Sequence, residues 1–215
     1  MIRASNVEID WQSYEKVNHF IKKHPRNIGI DEVGRGAIAG PILVAGIGLK
    51  TPLSHFLLTD SKLLDQKERY SAITIIEKNL AYIKIIEIPT NLINERKMNL
   101  NQLILQSILK ILDDAADAGI TGALIDYIPV QHPRVETLSL KWMELLSTPT
   151  AAASIVAKIK RDKLMKKYGE IYKNYEFARN SGYATAKHIK FLKKHGISDI
   201  HRKHFAEKIL KKRNN

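Results

Sequence analysis

Two adjacent acids, Asp31 and Glu32, are the residues of this chain whose types and spacing best suit chemistry. They end an apolar segment and precede a glycine-rich bend that contains Arg35. Carboxylates bind hard divalent cations well, and exposed glycine amides beside an arginine suit a phosphate backbone. The segment therefore predicts a metal-dependent site that acts on a phosphate-bearing substrate.

The adjacency of Asp31 and Glu32 constrains the conformation of the backbone that carries them. Successive side chains on a strand point to opposite faces, so Asp31 and Glu32 cannot both face one cation unless the chain twists. We expect the strand to break at the acids, because Gly34 tolerates backbone angles that other residues avoid. The alternative is a polar turn with two solvated acids, and Gly36 and the Gly40-Pro41 pair count against it.

A third acid, Asp126, closes the short apolar segment 122–126 and so occupies a position like that of Asp31. In α/β sheets the ends of strands line the working crevice. Oxygen-only ligation favours Mg²⁺ or Mn²⁺. Two such ions about 4 Å apart can hold the attacking water and the leaving oxygen of a phosphodiester. The competing interpretation of Asp126 is a solvated aspartate in a loop.

Composition limits the classes of protein that fit. The 215 residues are 44% hydrophobic, which suits one large domain, and they contain no cysteine, which excludes disulfides and thiolate zinc sites. No apolar run approaches the roughly 20 residues that span a bilayer, and no signal peptide is evident, so we expect a cytoplasmic protein. The net charge of +13 favours a polyanion partner, although solvated lysine faces would also explain it.

Hydrophobic periodicity and helix-breaking residues predict the elements that must position the acids. Strands come first and helices dominate the second half, which indicates an α/β layer structure with a helical, basic C-terminal lobe. The predicted strands are 28–31, 42–49, 80–88 and 122–126. The predicted helices are 8–24, 65–78 with Asp65 as N-cap, 100–118, 150–167 with a stop at Gly169, 185–195, and a last helix from Ser198 or Asp199 to Arg213.

These motifs, in this order, resemble the ribonuclease HII family, the type 2 ribonucleases H, from Ile28 to Phe205. The segments that carry the resemblance are residues 29–36 with Gly40-Pro41, residues 60–64, residues 124–126, residues 152–158 with Arg161-Asp162, Gly182-Tyr183 with Thr185 and His188, and His201-Arg202 with Phe205. The resemblance implies a ribonuclease H-like mixed β-sheet flanked by helices, with a helical basic C-terminal extension. We expect one continuous domain with an N-terminal helical extension (1–27), a ribonuclease H-like catalytic core (28–178) and a helical C-terminal substrate-gripping region (179–215).

The resemblance also implies roles for particular residues. Two divalent cations, Mn²⁺ or Mg²⁺, would be held by Asp31, Glu32 and Asp126. The bend formed by Gly34, Arg35 and Gly36 would read the ribose 2′-OH, which distinguishes RNA from DNA. Tyr183 would stack on the sugar beside the cleaved ribonucleotide. Lys62 would contact a backbone phosphate, and a plain surface lysine is the alternative.

The fourth acid departs from the family pattern. Trp142-Met143-Glu144 stands where the family usually has Lys-Gly-Asp, so Glu144 would be the fourth metal ligand. The alternative is a solvated Glu144 on an amphipathic turn, with Asp162 as a substitute or, more simply, Arg161-Asp162 as a structural pair. Tyr127 stands where the family has glycine and could crowd the cleft or offer a stacking surface. Leu63 replaces a lysine and removes one possible phosphate contact.

The resemblance implies a metal-dependent endoribonuclease. It would hydrolyse the RNA strand of RNA–DNA hybrids and cut 5′ to ribonucleotides embedded in duplex DNA, leaving 3′-OH and 5′-phosphate ends. Two alternatives remain: a catalytically impaired hybrid-binding protein of the same fold, and a different ribonuclease H-like nuclease such as an integrase relative. We expect a monomer that binds no membrane.

Overall fold

A mixed β-sheet organises the protein. The computed structural model describes residues 2–4, 7–51, 53 and 66–211. Within these residues a two-stranded hairpin, β1-β2, precedes a five-stranded sheet of order β5-β4-β3-β6-β7. The strands are β1 Ile2–Ala4, β2 Val7–Ile9, β3 Asn27–Val33, β4 Ile42–Leu49, β5 Leu80–Ile88, β6 Gly122–Asp126 and β7 Glu136–Leu140.

The pairing of β3 decides where the acids lie. β3 is antiparallel to β4 and parallel to β6, and its last pair with β6 is Ile30 opposite Ile125. β4 continues antiparallel into β5, whereas β7 is parallel to β6. Because β3 and β6 run side by side, Asp31 and Asp126 each follow that last pair at the same edge of the sheet. The predicted mixed α/β architecture is confirmed.

Helices cover both faces of the sheet. The helices are α1 Trp11–Lys23, α2 Gln66–Lys78, α3 Thr90–Glu95, α4 Leu100–Asp117, α5 Met143–Leu146, α6 Thr148–Ile171, α7 Phe177–Asn180, α8 Ala186–His195 and α9 Lys203–Lys211, with a 3₁₀ turn at Lys173–Tyr175. On one face Ile28 and Ile30 of β3 pack with the apolar side of α4. On the other face the alanine-rich first half of α6 packs on β4. In the part of the chain that the structure describes, no helix is long and apolar enough to cross a membrane.

Small residues let α6 approach the sheet closely. A Cβ atom added to Gly29 would overlap the backbone of Thr150, so only glycine fits at this point of β3. Ala151, Ala152 and Ala153 are fully buried against the sheet. This close packing brings the middle of α6 onto the end of β3, where the acids lie.

Several predicted boundaries are wrong, each for a local reason. Residues 7–9 form β2, and α1 begins at Trp11 because the side chain of Asp10 accepts a hydrogen bond from the Ser13 amide at 2.7 Å. α6 passes through Gly169, which packs closely on Ala178 and does not stop the helix. The last helix begins at Lys203. Asp65, the predicted N-cap of α2, lies outside the described residues.

Ser198 does not cap that last helix, because it belongs to a buried histidine pair. His188 Nδ1 lies 2.8 Å from the Tyr183 carbonyl oxygen and therefore donates to it. His188 Nε2 then accepts from His201 Nε2 at 3.1 Å, and His201 Nδ1 accepts from the Ser198 amide at 3.0 Å. This chain of hydrogen bonds needs both imidazoles neutral. Burial lowers the pKa of both rings, that of His201 to about 4.

The buried pair predicts a loss of stability in acid. The pKa of His201 is lower in the folded state than the ordinary 6.5, so its contribution is complete above pH 6.5 and disappears as the pH falls towards 4. From His201 alone we expect the free energy of unfolding to fall by about 2 kcal/mol between pH 7 and pH 5. Urea unfolding at the two pH values measures it. The fall in the free energy of unfolding should be smaller in His188→Gln than in wild type. It should equal the wild-type fall in His204→Gln, whose side chain is exposed. An equal fall in wild type and in both variants would contradict the role of the buried pair.

Candidate active site

The predicted acids come together at the edge of the sheet where β3 and β6 end. Asp31 is only 9% exposed and lies on the face that α6 covers. Burial is the largest cause that raises the pKa of the Asp31 carboxyl well above its ordinary value. The negative charges of Glu32, Asp126 and Glu144 raise this pKa further. The four carboxylates therefore lie within electrostatic range of one another.

The strand does not break at the acids. β3 continues through Val33, and Glu32 pairs with Val44 of β4. The prediction of a break was wrong because the antiparallel partner keeps the backbone paired up to this point. The chain turns only at Gly34, whose φ is +93°. Asp31 and Glu32 therefore start from opposite faces of the sheet.

Asp31 is positioned by the contact between β3 and α6. Two residues along a strand span about 6.6 Å and four residues along a helix about 6 Å. Gly29 touches Thr150, so the same register brings Asp31 to Ser154, which hydrogen-bonds to the carboxyl and lowers its pKa. The Glu32 amide also donates to Asp31 Oδ1, at 2.7 Å.

Glu32 lies on the α4 face beside the cation of the bend. Burial raises the pKa of its carboxyl, the charge of Asp126 raises it further, and Arg35 lowers it. Arg35 Nη1 lies 3.5 Å from Glu32 Oε1, and its Nη2 donates to Asn101 Oδ1 at 2.6 Å. The guanidinium is thus fixed between an acid of the site and the first turn of α4.

The fourth acid is buried, not solvated. Glu144 is 3% exposed and lies in the short helix α5, so the alternative of a solvated side chain is wrong. The helix is attached to β6, because the Met143 amide donates to Asp126 Oδ1 at 3.0 Å. The backbone is left-handed at Tyr127 and at Trp142, with φ of 59° and 63°. Tyr127 turns the chain at the end of β6, and Trp142 turns it at the start of α5.

Four carboxylates that repel one another in a partly buried site have the donor chemistry of a divalent-cation site. Hard oxygen ligands suit Mg²⁺ or Mn²⁺, and a bound cation would remove the repulsion that raises the pKa of Asp31. Among the described residues, no three acidic or histidine side chains are arranged, as they stand, to hold an ion.

Arg161 of α6 holds the glycine-rich bend from behind. It is fully buried, its Nε donates to the Pro41 carbonyl at 3.0 Å, and its Nη2 donates to the Ala39 carbonyl at 3.2 Å. Its Nη1 donates to the Ser181 carbonyl at 2.8 Å. Burial lowers the pKa of this guanidinium. The direct ion pair of Asp162 is with Lys158, at 2.7 Å, and Asp162 acts on Arg161 only through its charge, which raises the pKa of the guanidinium.

A second buried arginine, Arg202, holds the same bend. Its side chain donates to the carbonyls of Arg35, Ala37 and Gly40 at 2.8 to 3.0 Å, and its amide donates to the Ile38 carbonyl. Burial lowers its pKa to about 9, and the charge of Arg161 contributes. The C-terminal region is thus connected directly to the bend.

Tyr183 lies where the bend, α6 and the C-terminal region meet. The amides of Ile38 and Ala39 donate to the Gly182 carbonyl, and a Cβ atom at Gly182 would overlap Ala39. The Tyr183 ring is partly exposed and faces the Arg161 guanidinium, with 5.3 Å between its centroid and Cζ. The predicted substrate-facing elements, the bend and Tyr183, are therefore neighbours. Gly36, at the tip of the bend, is exposed and open.

Some parts of the site were not found from the sequence. Arg161 and Arg202 stand in motifs that the resemblance matched, but the sequence predicts only a pair with Asp162 for Arg161 and no role for Arg202. Asn101, which orients Arg35, gave no signal at all. The predicted phosphate contact Lys62, and with it the change at Leu63, lies outside the described residues.

Solved structures share this architecture. The ribonuclease H2 of Pyrococcus horikoshii matches with a TM-score of 0.72 at 20% identity, covering 88% of this chain and 99% of that one. A structure of Bst-RNase HIII in complex with Mn²⁺ matches with a TM-score of 0.73 at 20% identity, covering 99% of this chain and 78% of that one. These likenesses define the class: the chain has a ribonuclease H-like fold.

Sequence comparison gives the family within this class. The family model for ribonuclease HII matches residues 28–208. The ribonuclease HII of Enterococcus faecalis is 35% identical over 204 residues, which cover 93% of this chain and 78% of that protein. The chain belongs to the ribonuclease HII family. It is an endoribonuclease that cleaves RNA in RNA–DNA hybrids and at embedded ribonucleotides, and its family depends on divalent metal ions.

Proposed function

We propose that two divalent cations, Mg²⁺ or Mn²⁺, bind between Asp31, Glu32, Asp126 and Glu144 and support cleavage on the 5′ side of a ribonucleotide, leaving 3′-OH and 5′-phosphate ends. When bound, such ions supply positive charge to the attacking and leaving oxygens of a phosphodiester. Asp31 and Glu32 provide ligands from β3, Asp126 from the neighbouring strand β6, and Glu144 from α5. The convergence of four acidic side chains where β3 and β6 end, with Asp31 and Glu144 buried, carries the proposal.

The substrate side of the proposal lies in the bend. Gly36 is exposed at its tip, and Arg35 lies beside Glu32, so a backbone that approaches the acids also meets the bend. We propose that Gly34, Arg35 and Gly36 contact the ribose 2′-OH and that Tyr183 contacts the adjoining sugar. The buried Arg161 and Arg202 act as positioning residues, because their hydrogen bonds go to the carbonyls behind the bend.

Cleavage of a labelled DNA duplex that carries one ribonucleotide tests the proposed function. We expect one cut, 5′ to the ribonucleotide, with Mg²⁺ or Mn²⁺ and none in EDTA. The same duplex without the ribonucleotide is the control and should stay intact, because it lacks the 2′-OH. Nicking of the all-DNA duplex would contradict the role of the bend, and cutting in EDTA would contradict the role of the ions.

The proposed fourth ligand gives a separate prediction. Glu144→Gln keeps the shape of the side chain and removes its charge, so we expect the cleavage rate to fall about a hundredfold, through the loss of one charge that binds the ions. Rates measured over a range of Mn²⁺ concentrations should show a higher requirement for the ion. The neighbouring Leu145→Met, which changes no charge, serves as the control. An unchanged rate in Glu144→Gln would mean that another group is the fourth ligand.

A further inference from the structure

An exposed aromatic ring stands directly beside the acids. Tyr127 follows Asp126 in the chain, and its side chain is 51% exposed. Its ring centroid lies 5.6 Å from Cζ of Arg35 and 5.7 Å from Nζ of Lys141. Both cations lie over the ring, at the edge of the candidate active site.

Folding alone does not explain this ring. A tyrosine with φ of 59° occupies left-handed backbone, which costs free energy for any residue other than glycine. A ring that is half exposed recovers little of this cost by burial. The Tyr127 amide donates to the Leu140 carbonyl at 2.9 Å, so the backbone holds the residue firmly at the end of β6.

The cations beside the ring suit a nucleic acid. Lys141 is exposed and makes no ion pair with any acid among the residues that the structure describes, so its charge is available to a phosphate. Arg35 is already bound to Glu32 and Asn101 and therefore has a fixed position. For a nucleotide to stack on the ring, Lys141 has to move from over the ring to a phosphate, and the ring and the cations then hold the base or sugar and the phosphates together.

We propose that Tyr127 forms a stacking platform for one nucleotide of the substrate, next to the phosphate that is cleaved, and that Lys141 binds a phosphate adjoining that nucleotide. The proposal rests on the proposed function, because it takes the acids beside Tyr127 as the site of cleavage. Every base has a π-face, so the platform strengthens binding without selecting a sequence. It acts on the affinity for the duplex and leaves the rate of the bound complex nearly unchanged.

Binding by three variants of Tyr127 tests the platform. Fluorescence anisotropy, with a labelled single-ribonucleotide duplex and no divalent ion, gives the Kd without cleavage. Tyr127→Gly suits the left-handed backbone and should fold at least as well as the wild-type chain, yet its Kd should rise about tenfold, as for one lost stack. Tyr127→Ala should bind as weakly as Tyr127→Gly. Tyr127→Phe keeps the ring and should stay within about twofold of wild type.

Lys141→Ala tests the phosphate contact. The slope of log Kd against log salt should fall by about one, as expected for one lost phosphate contact. Lys110→Ala, which removes an exposed lysine on α4 outside the region assigned to substrate binding, is the matched control for a change of net charge. Equal slopes in Lys141→Ala and wild type would remove Lys141 from the proposal.

A fluorescent base locates the platform. 2-Aminopurine, placed in turn on either side of the ribonucleotide, should change its fluorescence on binding to wild type at one position, and this change should disappear with Tyr127→Gly. Equal binding and equal fluorescence in Tyr127→Gly and wild type would overturn the proposal. So would a loss of kcat without a change in Kd, which would mean that the ring only orients Arg35. Because these measurements concern binding, failure of wild-type cleavage would contradict the proposed function and not the platform.

Discussion

Asp126→Asn should abolish cleavage and leave binding of the duplex intact. Asparagine has the same shape as aspartate, and its Oδ1 can still accept the hydrogen bond from the Met143 amide, so α5 should stay attached to β6. The substitution removes one negative charge from the group that would hold the ions. A loss of several kcal/mol of transition-state stabilisation corresponds to a rate about a thousandfold lower or more.

Single-turnover cleavage and anisotropy, measured on the same duplex, separate the two effects. Asp162→Asn is the matched control, because Asp162 is the other acid considered for the site and its carboxylate binds Lys158 and Ser181 instead. Its cleavage rate should stay within a fewfold of wild type. Retained cleavage in Asp126→Asn would exclude Asp126 as a required ligand, and loss of cleavage in Asp162→Asn would bring Asp162 into the site.

The sequence predicts the sheet edge of the site well, for a local reason. The apolar segments before Asp31 and Asp126 are short, strongly hydrophobic and followed by an acid, so both strands, and the end of β6 at Asp126, follow from residues close in the chain. Long helices such as α4 follow from their 3.6-residue period in the same way. These are the elements whose burial pattern repeats over several residues.

The rest depends on contacts between distant parts of the chain. The continuation of β3 past Asp31 comes from its pairing with β4, which the residues around Gly34 do not reveal. Arg161 and Arg202 bind carbonyls of the segment around the bend, more than 100 positions away, and a backbone carbonyl has no signature in sequence. β7 alternates weakly between polar and apolar residues, so it gave no strand signal.

Glu144 shows how a local pattern can leave two answers open. A helical turn with Glu144 on its polar side and a buried fourth acid both fit the residues around Trp142. The structure separates them through the cluster in which Met143 and Leu146 pack with Val17 of α1. Their side of α5 is covered by α1, whereas the burial of Glu144 reflects its place among the other acids. Contacts with α1, which the residues around Trp142 do not reveal, therefore fix the position of α5.

Asp31→Asn should make the metal-free protein more stable while it abolishes cleavage. The ionised carboxylate is buried among three other acids, so its charge destabilises the folded state, as its raised pKa indicates. Asparagine can still accept from the Glu32 amide and bond to Ser154, and it removes the repulsion. In EDTA we expect a gain of about 1 to 2 kcal/mol, as is common where a functional site is held under strain.

Thermal unfolding in EDTA and in Mn²⁺ measures the change in stability, and cleavage assays measure the loss of activity. Wild type should gain stability on addition of Mn²⁺, because the ion removes the same repulsion, whereas Asp31→Asn should gain much less. Glu170→Gln, which removes an exposed charge on α6, should unfold like wild type under both conditions. A variant less stable than wild type in EDTA would show that the two hydrogen bonds of the carboxylate outweigh its repulsion, and that the site is built for Asp31 as a structural residue as much as for an ion.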